Sequence, residues 1–425
     1  MSDSKKNLRP SADGFAAFDL GAKLHRGLAD AGFTTPRRIQ VETIPAALEG
    51  RDVLGLAQTG TGKTAAFALP ILRYLASTTA PRDSGPRALV VAPTRELVAQ
   101  IDAEIRRLGR HTHLRSVTII GGVNQNRQVR ALREGADIVV ACPGRLLDLY
   151  QQRHVDFDDV EILVLDEADH MFDMGFLPDI RRLLRALPEE RQNLLFSATM
   201  PPEIRSLADG LLHRPHVVEL EHSAPPKTIE HALVPVAPDA KAKLLRHFLD
   251  HEEYDSAIVF TRTKHRAKRL AQQLDRDGHH AVALQGNMSQ PQRDRAMNGF
   301  REGKYDVLVA TDIAARGIDV AQVSLVVNFD VPMTPDAYTH RIGRTGRSEG
   351  AGRAVTFVTR DDDEQVRAIE KKLAAKIRVE RIAGFDDREA GRPSPAPRGG
   401  RSGGGARKSA HGRQNRRRGV ARSRR

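Results

Sequence analysis

The sequence predicts an α/β protein made of two domains in tandem, each a parallel sheet flanked by helices, followed by a disordered basic tail. Three observations lead there. Short apolar runs alternate with segments of helical periodicity. The runs are apolar throughout rather than at every second position, as strands buried on both faces require. The alternation stops once, in a His- and Pro-rich stretch at about 213–227, and then resumes. A chain of 425 residues has room for two or three domains of about 150 residues each.

Residues 1–14 are polar, so a flexible N-terminus without a secretory signal is expected. Domain 1 is placed over 15–220. Its strands are expected at 53–57, 88–92, 117–120, 138–141, 162–165 and 194–196, and helices at 65–75, 96–109 and 178–187. A helix between successive strands makes the connection a parallel crossover. The stretch at 213–227 has little periodicity and reads as a linker. Domain 2, over 221–386, repeats the alternation with strands at 257–260, 281–284, 307–310, 325–328 and 354–358 and helices such as 266–275. Residues 387–425 hold eight Gly, four Ser, three Pro and no Leu, Ile or aromatic residue, too little apolar surface to fold.

The chain has 67 Lys and Arg against 54 Asp and Glu, a formal net charge of +13. From Gly391 onward there are 12 basic residues and no acidic ones, which leaves 55 against 54 in the preceding body. Such an arm binds polyanions by releasing their counterions. A merely solubilising tail is the alternative from composition alone. No run of about 18 apolar residues occurs, so no membrane span is expected. Cys142 is the only cysteine. That excludes an intrachain disulfide and multi-cysteine zinc sites, and it fits a reducing cytoplasm.

Ala57-Gln58-Thr59-Gly60-Thr61-Gly62-Lys63-Thr64 follows the first strand of domain 1 and leads into a helix. Glycines let backbone N–H groups turn inward around phosphate oxygens, and the helix N-terminus faces the same charge. Lys63 would reach the β- and γ-phosphates of a nucleoside triphosphate, and the Thr64 hydroxyl would hold Mg²⁺. The strict pattern has Gly where this chain has Ala57. A Gly/Thr-rich turn is the alternative, and the strand before and helix after argue against it.

The strand at 162–165 runs into Asp166-Glu167-Ala168-Asp169. Three carboxylates in four residues at the tip of a buried strand are costly unless a cation faces them. The carboxyl ends of parallel strands are also where open α/β sheets bind ligands. Asp166 would hold Mg²⁺ through water, and Glu167 would orient and deprotonate the attacking water. A solvated acidic turn is the alternative when the segment is taken alone. In domain 2, His340-Arg341-Ile342-Gly343-Arg344-Thr345-Gly346-Arg347 gathers three Arg and one His into eight residues. Guanidinium forks suit phosphoryl oxygens. Domain 2 has no phosphate loop of its own, so the cluster makes sense if it faces the nucleotide held by domain 1. Arg344 and Arg347 would then stabilise transition-state charge, and hydrolysis would wait on domain closure.

Taken in order, these segments resemble the motifs of the DEAD-box ATP-dependent RNA helicases, more loosely the bacterial RhlE-like branch, over about residues 15–385. The resemblance implies two RecA-like P-loop domains in tandem, with ATP and Mg²⁺ bound to the first and RNA as partner. Phe15 lies 25 residues before Gln40, the spacing of the family's adenine-reading motif, in which the aromatic ring stacks on the base and Gln bonds its edge. Ala57 through Thr64 and Asp166 through Asp169 match the two nucleotide motifs. Ser197-Ala198-Thr199, together with Asp169, matches the segment that couples hydrolysis to strand separation. His340 through Arg347 matches the last motif and places His340 with the catalytic set. Asp319, in Ala315-Arg316-Gly317-Ile318-Asp319, matches the ribose contact, with Gly317 beside it.

Pro93-Thr94-Arg95-Glu96-Leu97, Gly121-Gly122 and Pro143-Gly144-Arg145 resemble the family's RNA-backbone contacts in domain 1. Arg262, within the run from Phe260 to Thr263, Gln285-Gly286, Gln290 with Arg293, and Thr311-Asp312 resemble those of domain 2. Glycine turns, hydroxyls and arginines beyond strand ends can follow a sugar–phosphate backbone but cannot read base edges. Three departures stand out: Arg37 replaces a hydroxyl residue of the adenine loop, Cys142 a Thr before Pro143, and Gln285 a His before Gly286. None removes a residue that bonds phosphate or water in hydrolysis. The resemblance implies RNA-stimulated ATP hydrolysis coupled to local, non-processive separation of short duplexes and remodelling of RNA–protein assemblies. It further implies a cytoplasmic monomer with ribosomal or RNA-decay machinery as its setting. Two other classes stay open on the residues alone. One is an RNA-binding or annealing clamp with incidental ATP turnover, which Glu167 and the two arginines argue against. The other is a DNA helicase, since nothing in the residues separates ribose from deoxyribose.

Overall fold

The computed structural model describes residues 14–58, 60–78, 85–220, 229–315, 323–346 and 352–385. Domain 1 contains strands β1 (Val53–Leu56), β2 (Ala88–Val91), β3 (Ser116–Ile119), β4 (Ile138–Ala141), β5 (Ile162–Leu165), β6 (Gln192–Ser197) and β7 (His216–Glu219). They form one parallel sheet in the order β3-β4-β2-β5-β6-β1-β7. Domain 2 contains β8 (Ile229–Pro235), β9 (Ala257–Phe260), β10 (Ala281–Leu284), β11 (Val307–Ala310), β12 (Leu325–Asn328), β13 (Gly352–Val358) and β14 (Arg378–Val379). Its parallel sheet runs β10-β11-β9-β12-β13-β8-β14, the same permutation of its own strands.

Alternate strand residues feed the two faces of each sheet. Ala88 and Val90 point into one core and Leu89 and Val91 into the other, all four fully buried. Full burial on both faces is why these strands read as uninterrupted apolar runs. Gly55 sits in the middle of β1 because a Cβ there would lie 2.4 Å from Cδ1 of Phe196. That ring packs 5.5 Å from the ring of Phe67, on the helix that follows the phosphate loop. The crossover helices begin on side-chain caps. Thr94 Oγ1 accepts the amide of Leu97 at 3.2 Å, and Thr263 Oγ1 accepts that of Arg266 at 3.2 Å.

The expected strands are present, with ends shifted by one or two residues. Three others escaped the sequence reading: β7, β8 and β14. β7 corrects the linker expectation, since its part from His216 to Glu219 pairs with β1 along its length. As an edge strand it buries only Val218, and Val217 is 52% exposed, so it lacked the continuous apolar signature. β14 is two exposed residues. The rest of the linker at 221–227, the N-terminus to residue 13 and the tail from 387 lie outside the described residues. Among the described residues no helix is long and apolar enough to cross a membrane.

Sheet order sorts the candidate residues before any side chain is placed. The phosphate loop, Asp166 and Ser197 leave the carboxyl ends of β1, β5 and β6, which are neighbours. The candidate RNA residues of domain 1 follow β2, β3 and β4, the other half of the sheet. Domain 2 repeats the division, with Arg262, Gly286 and Thr311 after β9, β10 and β11 and the Arg344 cluster after β12.

Candidate active site and nucleic-acid interface

The phosphate loop leaves β1 with the amide of Ala57 donating to the Ser197 carbonyl at 3.0 Å. Thr61 Oγ1 donates to the Gln58 carbonyl at 2.9 Å, and Gly60 and Gly62 take φ values of 80° and 95°. Gly62 is required twice over. Its φ suits glycine, and a Cβ would come within 2.7 Å of Gln40 Nε2. The helix Lys63–Ser77 starts immediately after. Lys63 is 6% exposed; its Nζ donates to the Ala57 carbonyl at 3.0 Å and lies 3.8 Å from Asp166 Oδ1. Thr64 lines the same cleft, while Thr59 lies outside the described residues.

The acidic strand end is buried: Asp166, Glu167 and Asp169 are each under a tenth exposed. Glu167 sits at φ 53°, ψ 53°, a left-handed conformation that costs a residue with a Cβ about 1–2 kcal/mol. Strain of that kind persists where the surroundings hold it, typically at functional sites. Burial pushes the Asp166 carboxyl above its usual range, opposed by Lys63. Burial also works against the Glu167 charge, but His170, Lys63 and Arg344 outweigh it and hold that carboxyl below its usual range. His170 Nδ1 is 3.1 Å from Glu167 Oε2, and its buried Nε2 has no partner among the described residues. Asp169 joins two strand tips. Its Oδ2 accepts both the amide and the hydroxyl of Thr199 at 2.9 Å, while its own amide donates to Ser197 Oγ at 3.2 Å.

One cleft of about 760 Å³ gathers Lys63, Thr64, Asp166 and Glu167 from domain 1 with Arg344 from domain 2. Arg344 is 8% exposed there. His340 is half-buried in the helix Pro335–Ile342 and does not line the cleft. Arg347, Gly317 and Asp319 lie outside the described residues. Arg341 is built into domain 2 instead, gripping both oxygens of Asp312 at 2.5 and 2.7 Å and stacking over the Phe260 ring.

At its other end the cleft is closed by residues the sequence reading passed over. Phe33 lines it; Phe15, expected against the base, is 5% exposed and packs edge-on behind Phe33 with ring centroids 5.8 Å apart. Spacing alone could not tell which of the two rings faces outward. Arg107 holds this wall, its guanidinium donating to the Ala31 carbonyl and lying 5.9 Å from the Phe33 centroid. Gln40 is 1% exposed, accepting the Arg37 amide at 2.8 Å and donating to the Gly62 carbonyl at 3.1 Å. The Arg37 guanidinium donates to the carbonyl of Gly60, so the departure from a hydroxyl residue still ties this loop to the phosphate loop.

The candidate RNA residues are less uniform. Arg95 packs its guanidinium where a Cβ on Gly122 (φ 74°) would stand, 2.2 Å from Nη1. Arg145 reaches the Val123 carbonyl at 3.4 Å, and Gly144 is exposed in the first turn of its helix. Pro93 and Thr94 are buried at the start of the helix Arg95–Leu108. In domain 2, Arg262 is about half exposed, Gly286 is exposed and Thr311 is buried. Arg293, expected with the RNA contacts, lies between the two domains. It is 8% exposed, and its Nε donates to Glu96 Oε1 across the domain boundary at 2.6 Å. Its other nitrogens point at the Gln285 and Ala314 carbonyls at 3.4 Å. The guanidinium thus joins the two domains. Arg95 Nη1 and Gln290 Oε1 add a second contact across the boundary at 3.4 Å.

Known proteins share this layout. The DEAD/DEAH box helicase domain matches residues 37–207, and the helicase conserved C-terminal domain matches 240–349. The ATP-dependent RNA helicase RhlB of Pseudomonas syringae pv. tomato is 43% identical over 373 residues, spanning 86% of this chain and 94% of its own. The ATP-dependent RNA helicase CshA of Listeria monocytogenes is 41% identical over 378 residues, spanning 89% and 72%. Among solved structures, S. cerevisiae Dbp5 bound to RNA and ADP BeF3 superposes with a TM-score of 0.77 at 33% identity, over 87% of this chain and 96% of that one. Similarity of this depth runs through both domains and both faces of the cleft, and the chain therefore belongs to the DEAD-box family of ATP-dependent RNA helicases.

Proposed function

We propose that ATP binds in the 760 Å³ cleft and that RNA crosses the tips of β2–β4 and β9–β11, so that hydrolysis requires both domains at once. One observation carries the reading: Glu167 of domain 1 and Arg344 of domain 2 share the cleft that holds Lys63 and Asp166. The base is assigned to Phe33 and Gln40, with Arg37 and Arg107 holding their loop. The triphosphate is assigned to the amides around Gly60 and Gly62 and to Lys63, which would exchange its bond to the Ala57 carbonyl for phosphate oxygens.

The donors also suit Mg²⁺. Asp166 and Thr64 offer oxygen ligands only, and the buried Asp166 carboxylate has little compensating charge besides Lys63 at 3.8 Å. A magnesium ion there would add positive charge against the β- and γ-phosphate oxygens. Glu167, turned by its left-handed backbone and held by His170, is assigned to orient the attacking water and take its proton. Arg344, with Arg347 by sequence, is assigned to the charge that builds on the γ-phosphoryl group. Asp169, bonded to Thr199 and Ser197, would pass a change at the β5 tip to the β6 tip.

For RNA, the exposed Gly144 and Gly286 and the half-exposed Arg262 suit the backbone. No base-reading pattern is assigned, so little sequence preference is expected of the two domains. A cytoplasmic monomer acting on ribosomal or RNA-decay assemblies is the setting that accompanies this reading. Steady-state ATP turnover with and without single-stranded RNA tests it. Glu167→Gln should abolish RNA-stimulated turnover while RNA binding with ATP persists. Unchanged turnover in that variant would remove Glu167 from its role.

A further inference from the structure

The outer edge of β10 lies in a groove of about 940 Å³, three strands along the sheet of domain 2 from β12, the strand that leads to Arg344. Helices Lys264–Arg276 and Gln290–Arg301 pack on opposite faces of the sheet and form its two walls. Ala281, Val282 and Ala283 of the strand form its floor. Among the described residues β10 pairs only with β11, so its other side presents main-chain donors and acceptors.

Domain 1 offers a control within the same molecule. Its matching edge strand, β3, is tied at both ends by side chains from the flanking helices, at Ser116 and at Ile120 just beyond the strand. Arg106 donates to the Ser116 carbonyl, and Gln128 takes both the amide (2.8 Å) and the carbonyl (3.1 Å) of Ile120. Asp275 stands as far beyond the helix cap Thr263 as Arg106 stands beyond Thr94. A carboxylate cannot donate to a carbonyl. Among the described residues no side chain is bonded to the main chain of 281–284; at Gln285, the position that matches Ile120, Arg293 reaches the carbonyl at 3.4 Å.

The walls are charged unevenly. Lys264, Lys268 and Arg295 gather toward the carboxyl end of β10, while Asp275, Glu302 and Lys304 stand toward its start. Among the described residues none of these four cations has a carboxylate within 4.0 Å.

We propose that this edge is a docking site for an extended, acidic segment of a partner protein, which adds as an eighth strand beside β10 and sets its carboxylates against Lys264, Lys268 and Arg295. Main-chain pairing would provide affinity and the walls selectivity. An RNA backbone would use the same cations but not the strand's amides or its apolar floor, so the two occupants are separable.

The test pans short random peptides on phage against the full chain, with a K268E/R295E chain as counter-selection. The expected peptides alternate apolar residues, are acidic toward one end and lack a central Pro. They should slow hydrogen exchange at 281–284 and bind the charge-reversed chain at least about tenfold more weakly. That variant should keep its ATP turnover at saturating RNA, because neither residue lines the hydrolytic cleft or belongs to the RNA contacts assigned above. The exchange footprint needs no variant, so a folding defect in the charge-reversed chain would not rescue the idea. No retained peptide, or retained peptides without protection at 281–284, would overturn it. Displacement of the peptides by single-stranded oligouridine would assign the groove to RNA and equally overturn it.

Discussion

Replacing Arg293 with Gln should loosen the closed state of this helicase rather than its grip on phosphate. The Arg293 side chain is about a tenth exposed, and so is that of its partner Glu96, with Nε and Oε1 2.6 Å apart. Its two other contacts are long, at 3.4 Å, so Glu96 is its main compensation. When the domains separate, both ions regain water, so the loss is limited to the net contribution of a charged hydrogen bond, about 1.5–3 kcal/mol. At about 1.4 kcal/mol per tenfold, closure becomes roughly 10–150 times less favourable. On the proposed reading RNA couples to closure, so the RNA concentration for half-maximal ATP turnover should rise by about that factor. Turnover at saturating RNA should change much less. Exchanging the pair, E96R with R293E, should recover part of the loss. An unchanged half-saturation in R293Q, or an exchange variant as weak as the two single variants multiplied, would refute the clasp.

Three further outcomes follow from the geometry. Arg37→Ala removes the bond to the Gly60 carbonyl and should raise the KM for ATP several-fold, about 1 kcal/mol, with kcat nearly unchanged in steady-state assays. Burial pushes the Cys142 thiol up to about 12. At pH 8 its thiolate fraction is then about 10⁻⁴, so iodoacetamide labelling of the native chain should be negligible and climb about tenfold per pH unit, where a free thiol levels off near 8.5. Truncation before Gly391 should leave ATP turnover intact and raise the RNA needed for half-saturation. It should also lower the salt dependence of RNA binding, by roughly 0.7 in log–log slope for each phosphate that the arm neutralises. Equal slopes for the full and truncated chains would show that the arm does not touch RNA.

Strands buried on both faces were legible because burial forces an unbroken apolar run, as in Ile162–Leu165. β7 was not, because an edge strand with Val217 exposed has no such constraint. The phosphate loop and the acidic strand end were legible because their chemistry is local: a turn, a helix start and clustered carboxylates follow one another in the chain. Phe33 was passed over, and Arg293 was placed with the RNA contacts, for a shared reason. An aromatic ring can stack on a base or on another ring, and an arginine can meet a phosphate or a carboxylate; residue type does not choose between them.

The sequence by itself determined the kind of chemistry at each strand tip, because glycines, a lysine and carboxylates carry their function within a few bonds of one another. It also determined two α/β domains, because period and burial are local properties. Only the tertiary structure decided what meets what. Glu96 and Arg293 lie 197 residues apart, and their contact depends on sheet order and on how one domain seats against the other. The same holds for Glu167 and Arg344, whose shared cleft no local pattern encodes. Long-range contacts of this kind arise from packing two cores against each other, and that is where this protein's catalytic arrangement is set.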